Sequence, residues 1–137
     1  MTPFVLDASV AASWLLPDER HPLAEAAMER MRRGRAVAPT IFWYEIRNML
    51  LVNERRKRID AGQGRAALKV LRALPIDEDR DAEETHQMDL ARRRNLTAYD
   101  VAYLELALRL GALLATFDEA LRKAALAEGV ELLGVEP

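Results

Sequence analysis

The sequence contains no cysteine, so disulfide bonds, thiol nucleophiles and thiolate metal ligands are excluded. Histidine is nearly as scarce, because His21 and His86 are the only two and they lie far apart in the chain. A surface position is a better interpretation of each than a catalytic role. Chemistry in this protein must therefore rest on carboxylates, hydroxyls, amides and cationic side chains.

Long hydrophobic runs are also missing, and none approaches the ~18 apolar residues that a membrane-spanning helix requires. No basic residue precedes Asp7, as the start of a signal peptide would require. We therefore expect a cytoplasmic protein. Its 137 residues predict one domain, 1–137, large enough to bury roughly two thirds of its surface.

Short apolar runs alternate with longer helical patterns along the whole chain. The runs predict strands at 4–6, 36–38, 112–115 and 130–133, and the last of these follows a turn at Gly129. Helices are predicted from Ala8 to Leu16, His21 to Gly34, Thr40 to about Arg58, Asp60 to Pro75, Ala82 to Arg94, Asp100 to Leu110 and Asp118 to Ala127. Residues 76–80 are expected to form a short acidic connection. This alternation predicts an α/β fold with a mainly parallel sheet.

The stretch from Leu96 to Asp118 is central to the predicted fold. The helix after Asp100 is apolar nearly all the way round, so we expect it to be buried and to have no polar face. The strand 112–115 is a continuous apolar run, which is typical of a strand covered on both faces. Each buried element has one acid at its end, and an ionised carboxylate near a dry interior is costly unless positive charge meets it.

Four acids occupy comparable places at the ends of predicted elements: Asp7, Glu45, Asp100 and Asp118. Each has a structural interpretation that is preferable when it is taken alone. Asp7 and Asp118 precede helices, where aspartate is a favoured N-cap. Asp100 follows Thr97 by three residues and can form a variant capping box. Glu45 lies on an apolar stripe and can pair with an arginine such as Arg47.

Taken together, the four acids indicate a shared site. Ligands of open α/β sheets bind beyond the carboxyl ends of the strands, where Asp7 and Asp118 lie directly, and Glu45 and Asp100 lie near helix starts that can face the same edge. Gathered carboxylates repel one another unless one is protonated or a cation binds. Oxygen ligands alone select hard cations such as Mg²⁺ or Mn²⁺, which support phosphodiester hydrolysis.

These residues also carry a resemblance to a known family. The matching pieces are Val5-Leu6-Asp7-Ala8-Ser9, Glu45-Ile46-Arg47-Asn48-Met49-Leu50, Leu96-Thr97-Ala98-Tyr99-Asp100-Val101-Ala102-Tyr103 and Leu114-Ala115-Thr116-Phe117-Asp118. Together they span nearly the whole chain, in order and at similar separations. The set resembles the PIN-domain nucleases, and its size and ends are most similar to the VapC-type toxins of bacterial toxin–antitoxin pairs. The resemblance implies a three-layer α/β/α PIN-like domain.

The resemblance further implies an endoribonuclease of tRNA, rRNA or mRNA that leaves a 3′-hydroxyl and a 5′-phosphate. The four acids would form its catalytic site, in which Mg²⁺ or Mn²⁺ is bound. Asp7 and Asp100 would be direct ligands, and Glu45 a ligand or the holder of metal-bound water. Asp118 would bind a second ion or orient water, and it is the least secure because Ala120 stands where some relatives carry another acid.

The resemblance also assigns supporting roles and partners. Ser9 and Thr116 match small hydroxyl positions that support the acids, and Asn48 matches a polar position beside Glu45. It implies a homodimer, an RNA substrate and a cognate antitoxin whose C-terminal segment covers the acidic site.

Arginine supplies 17 of the 20 basic residues, and ten of the arginines lie in clusters at 30–35, 55–58 and 92–94. RNA binding needs such cations, since phosphate contacts supply most non-specific affinity. Solvated helix ends explain each cluster equally well, so the sequence leaves both interpretations open.

Two other classes of function remain open at this point. Phosphatase-like and receiver-like α/β domains also place an aspartate after the first strand, but they want a second acid beside it and a lysine near a later strand end. Here Asp7 is followed by Ala8 and Ser9, and the lysines are Lys57, Lys69 and Lys123. A non-catalytic binding module that keeps a PIN fold and uses its acids as caps is the second alternative.

Overall fold

A computed structural model describes residues 2–16 and 21–134. In chain order the elements are β1 (Phe4–Leu6), α1 (Ala8–Leu15), α2 (Pro22–Arg33), β2 (Ala36–Pro39), α3 (Ile41–Arg55), α4 (Ala61–Arg72), β3 (Ile76–Asp79), α5 (Glu84–Arg94), α6 (Ala98–Leu110), β4 (Leu114–Ala115) and α7 (Glu119–Ala127). The α/β alternation predicted from the sequence is confirmed.

The four strands form one parallel sheet in the order β3-β2-β1-β4. Val5 at the centre of β1 pairs with Val37 of β2 on one side and with Leu114 of β4 on the other. The chain moves outward from β1 to β2 and β3, and then returns to the far side of β1 as β4. The gap between β1 and β4 is therefore the topological switch point, where α/β sheets bind ligands.

The helices pack in two groups around this sheet. Helix α6 packs against β1, β2 and β4 and also contacts α5 and α7, while α1 packs against α2 and α3, and α3 packs against α4. Strands β1, β2 and β4 are buried along their whole length. Burial of these apolar side chains, at roughly 25 cal/mol per Å², is the main force that holds the layers together.

The acidic segment 76–80 is a strand and not the connection that we expected. Strand β3 pairs with β2 from Ile76–Ala36 to Asp79–Pro39. Two arginines balance its charge, because Arg35 binds both oxygens of Asp77 at 2.8 Å and Arg109 binds both oxygens of Asp79 at 3.1 and 2.7 Å. These tertiary ion pairs permit an acidic edge strand that its own sequence pattern does not predict.

Two other expectations need correction. The predicted strand 130–133 contributes only an isolated bridge from Leu132 to Leu114. The third helix ends at Arg55 instead of about Arg58, and Lys57 takes a left-handed conformation (φ 59°) in the turn before α4. Asp60 then caps α4 in a capping box with Gln63.

Helix α6 is buried as predicted, but it does carry a charged group inside. Glu105 is fully buried and accepts hydrogen bonds from Arg109 at 2.7 and 3.2 Å and from the backbone N–H of Glu83 at 3.3 Å. The buried carboxylate is tolerated because its partners satisfy it.

In the described residues, no helix combines the length and the apolar character that crossing a membrane demands.

Candidate acidic site

Four carboxylates lie around one edge of the sheet, at the switch point. Asp7 follows the last residue of β1, and Asp118 lies three residues beyond the last residue of β4. Glu45 is in the second turn of α3, and Asp100 is in the first turn of α6. Helix α3 follows the carboxyl end of β2 directly, and α6 packs against β1 and β2. The topology therefore brings all four acids to the same region.

Asp7 is buried, with 6% of its surface exposed, and two hydroxyl groups orient it. Thr116 Oγ1 and Ser9 Oγ both donate to its Oδ2 atom, at 2.6 and 2.7 Å. These hydroxyls accept in turn from the backbone N–H groups of Asp118 and Phe117, each at 3.0 Å. Asp7 occupies the N-cap position of α1, but its side chain forms no capping hydrogen bond, and no described side chain donates to its Oδ1 atom.

Glu45 is held by a tyrosine and not by an arginine. The hydroxyl of Tyr103 donates to Glu45 Oε1 at 2.6 Å. The guanidinium of Arg47 instead lies over the ring of Tyr44, 4.6 Å from its centre. The expected pairing of Glu45 with Arg47 is therefore wrong.

Asp100 and Asp118 both take part in helix starts, but in different ways. The hydroxyl of Thr97 accepts from the backbone N–H of Asp100 at 3.1 Å, so Thr97 provides the cap and the Asp100 carboxylate is not used for it. Asp118 Oδ1 accepts from the N–H of Leu121 at 2.8 Å and caps α7. Asp118 therefore has one oxygen already committed to the fold.

Burial and neighbouring negative charges raise the pKa values of Asp7, Glu45 and Asp100. The pKa of Asp7 is raised by its burial and by the charge of Asp118, against the hydroxyls that lower it. Burial raises the pKa of Glu45, and the charges of Asp7 and Asp100 add to this. Burial also raises the pKa of Asp100, with further increases from Asp118 and Asp7. These charge effects connect Asp7, Glu45, Asp100 and Asp118, so the four side chains lie near one another.

Positive charge does not relieve this repulsion. Within 2–16 and 21–134, none of the four acids forms an ion pair. Arg122 approaches the same edge, but its Nη1 atom donates to the backbone carbonyl of Thr116 at 2.8 Å. The cluster therefore has an excess of negative charge that a bound cation would neutralise.

Comparison with known proteins identifies the family. A family model described as the PIN domain matches residues 4–126. The chain belongs to the PIN domain family. PIN domains are generally nucleases and typically use divalent metals.

A solved structure gives independent support for the fold of this PIN domain. The crystal structure of PAE2754 from Pyrobaculum aerophilum matches with a TM-score of 0.70 at 21% sequence identity, over 90% of this chain and 86% of that one. At this identity the likeness concerns the fold alone. No curated protein gives a significant match.

The donor set of this PIN domain fits a hard divalent cation in its chemistry, since it offers carboxylate oxygens whose ionisation is opposed by burial and by each other. In the described part of the chain, however, no three acidic or histidine side chains are already grouped tightly enough to hold an ion. Mg²⁺ is commonly held by one or two carboxylates together with several water molecules, so a pair of these acids is enough as its protein ligands.

In this PIN domain Tyr103, and not Asn48, forms the hydrogen bond to Glu45. Asn48 is exposed and forms no side-chain hydrogen bond with a described residue, so the expected support for Glu45 is not seen there. Tyr103 provides that support instead. Its place inside the Leu96–Tyr103 motif was the available signal, but its partner lies 58 residues away in the chain, and local spacing could not identify it.

The strand order also bears on the receiver-like alternative. Receiver-like and flavodoxin-like sheets follow the order 2-1-3-4-5, in which the first strand neighbours the third. In this PIN domain β1 lies between β2 and β4, and β3 is at the edge. The lysines lie in the turn after α3, on α4 and on α7, and none directly follows a strand.

Proposed function

We propose that this protein is a metal-dependent endoribonuclease, that residues 1–137 work as one PIN domain, and that Asp7, Glu45, Asp100 and Asp118 form its catalytic and metal-binding centre. One observation carries the proposal: four acids from separate parts of the chain surround the β1–β4 switch point, and no described cation pairs with them. Membership of a family of nucleases supports the reaction class.

The residues divide the work according to their surroundings. Asp7 and Asp100 would hold Mg²⁺ or Mn²⁺, since Asp7 Oδ1 and the Asp100 carboxylate are not used to cap a helix. Asp118 would assist through its second oxygen, by orienting water or a second ion. When bound, the ion would act as a Lewis acid toward the phosphodiester and lower the pKa of water.

Glu45 is the best placed proton acceptor. Tyr103 fixes Oε1 and leaves Oε2 to hold a water molecule, while the raised pKa of Glu45 makes it a better base. The water oxygen would bond to phosphorus as its proton passes to Oε2. The bond from phosphorus to the 3′ oxygen would break, and solvent would protonate the leaving oxygen. The products would be a 3′-hydroxyl and a 5′-phosphate.

Cleavage of a fluorescent single-stranded RNA tests this function. We expect cleavage in Mn²⁺, none in excess EDTA, and none for Asp100→Asn. Asp89→Asn is the matched control, because Asp89 is an exposed acid on α5 away from the centre, and it should cleave like the parent. Full activity of Asp100→Asn or of the parent in EDTA would refute the proposal.

We further propose that the nuclease is the toxin of a toxin–antitoxin pair, acts as a homodimer, and is inhibited by a cognate antitoxin that covers the acidic centre. The similarity of its four motifs to VapC-type toxins supports this proposal. Induced expression of the chain without a partner should arrest bacterial growth, and Asp100→Asn should not. Growth unaffected by an expressed, folded and RNA-cleaving chain would exclude the toxin role.

A further inference from the structure

Helices α3 and α4 form a hairpin whose charge is opposite to that of the rest of the chain. Gly64 near the start of α4 lies beside Glu54 near the end of α3, and Arg72 near the end of α4 stacks on Trp43 near the start of α3. The two helices are therefore antiparallel. Residues 40–75 contain eight basic and three acidic residues, a net charge of +5, in a chain whose net charge is −2.

The basic cluster at the tip of this hairpin differs from the other two. Members of the clusters at 30–35 and 92–94 are bound to acids, in the pairs Arg32–Glu29, Arg35–Asp77, Arg92–Asp89, Arg93–Glu128 and Arg94–Glu128. Residues 55–58 are all exposed, and they form no ion pair with any residue that the structure describes. Arg55 suits the α3 dipole, but residues 56–58 lie beyond the helix end.

A row of side chains on α3 runs from near the acidic centre toward this tip. The α3 stripe consists of Tyr44, Arg47, Leu51 and Arg55 of α3, together with Arg58 of the turn that follows the helix. Its four helical members are three or four residues apart, which is the spacing of one face of a helix. Tyr44 neighbours Glu45 in the chain, is 61% exposed, and carries the Arg47 guanidinium over its ring. A groove of about 300 Å³ runs alongside, and it is lined by Arg47, Glu54 and Arg65 and by apolar residues of α3 and α4.

We propose that the α3 stripe binds a single strand of RNA and leads it to the acidic centre, an inference that rests on the proposed nuclease function. Tyr44 and Arg47 would stack with a base next to the cleaved bond, and Arg55 and Arg58 would contact phosphates further along. The ten residues from Glu45 to Arg55 rise about 15 Å along the helix. That distance corresponds to roughly four stacked nucleotides at ~3.4 Å each, so shorter RNA reaches the centre but not the tip.

Binding is measured without cleavage, by fluorescence anisotropy of full-length Asp100→Asn with a labelled, unstructured twelve-nucleotide RNA between 0.05 and 0.2 M salt. Adding Arg55→Gln and Arg58→Gln should weaken binding about tenfold and reduce the salt slope by about 1.4, since single strands give about 0.7 per phosphate contact. Tyr44→Ala should weaken binding about tenfold while Tyr44→Phe retains it, because phenylalanine keeps the stacking surface.

Arg33→Gln with Arg92→Gln is the matched control, because it removes the same charge from the ends of α2 and α5. Affinity and salt slope should remain those of the Asp100→Asn parent. An equal loss in this control would reduce the effect to net charge and overturn the proposal. Unchanged RNA affinity in the Arg55→Gln, Arg58→Gln variant would also overturn it, and would favour an acidic protein as the partner of this hairpin.

Cleavage assays separate this inference from the nuclease proposal. With the intact centre and Mn²⁺, Arg55→Gln with Arg58→Gln should cleave a three-nucleotide RNA at the parent rate and lose about tenfold in kcat/KM on the twelve-nucleotide RNA. If the parent cleaves both RNAs and the variant loses nothing, the stripe is refuted and the nuclease stands. If the parent cleaves neither, the nuclease is refuted, while anisotropy still tests the stripe.

Discussion

Replacing Asp7 by asparagine or by alanine tests the central claim that its negative charge opposes folding in the absence of metal. Both hydroxyls that hold Asp7 donate to the same oxygen, Oδ2. An asparagine whose amide oxygen takes this place keeps both hydrogen bonds and removes a buried charge whose pKa is raised. We therefore expect Asp7→Asn to be at least as stable as the parent in EDTA.

Alanine removes the acceptor and leaves both donors unsatisfied. Thr116 is fully buried and Ser9 is partly buried, and an unpaired buried polar group costs about 1–3 kcal/mol. The two hydroxyls together make Asp7→Ala about 2–4 kcal/mol less stable than Asp7→Asn. For a domain of this size, that difference corresponds to roughly 7–14 °C in Tm.

Thermal unfolding followed by circular dichroism, at pH 7.5 in EDTA and then in Mn²⁺, gives the measurement. Saturation at 100 times Kd should stabilise the parent by about 2.7 kcal/mol and neither variant, because both lack the carboxylate. A result in which Asp7→Asn unfolds well below the parent in EDTA would refute the reasoning, since it would mean that the ionised carboxylate stabilises the fold.

Three further predictions follow from the same contacts. Tyr103→Phe removes the donor to Glu45, and we expect Mn²⁺ affinity in calorimetry to fall about 10–100-fold with the fold retained; an unchanged affinity would exclude the positioning role. Arg109→Met leaves Glu105 buried without its cation and should cost about 3–5 kcal/mol in urea unfolding, with partial recovery on adding Glu105→Met. The pKa values of Asp7, Glu45 and Asp100 are raised in the folded protein. The contribution of these residues to stability is therefore present below the unfolded pKa values of 3.8–4.5 and is lost as the pH rises through the folded values. As the pH rises from about 4 toward neutrality, metal-free Tm should therefore fall more in the parent than in Asp7→Asn, and a constant difference between them over that range would contradict the raised pKa.

The sequence predicts best those elements whose apolar residues face the core. Strand β1 and helix α6 were predictable because burial on both faces leaves an uninterrupted apolar run, whatever lies around it. Strand β3 was not, because its stability depends on Arg35 and Arg109, which approach from distant parts of the chain. A local pattern contains no information about such partners.

The candidate site divides in the same way. The four acids could be selected because the ends of parallel strands and the starts of the following helices meet at one edge. Their individual partners could not, because Thr116 bonds to Asp7 across 109 residues and Tyr103 bonds to Glu45 across 58. Residue type and spacing locate the centre, but they do not identify the hydrogen bonds that orient it.

The acidic edge strand has a consequence for assembly. The free side of β3 exposes backbone donors and acceptors that could pair with another sheet, and Asp77, Glu78 and Asp79 place three carboxylates along it. These carboxylates and the arginines bound to them, Arg35, Arg80 and Arg109, surround the edge strand with charged side chains, which disfavours growth of the sheet from molecule to molecule and protects against edge-to-edge aggregation. We therefore expect self-association of this protein to use its helical surfaces.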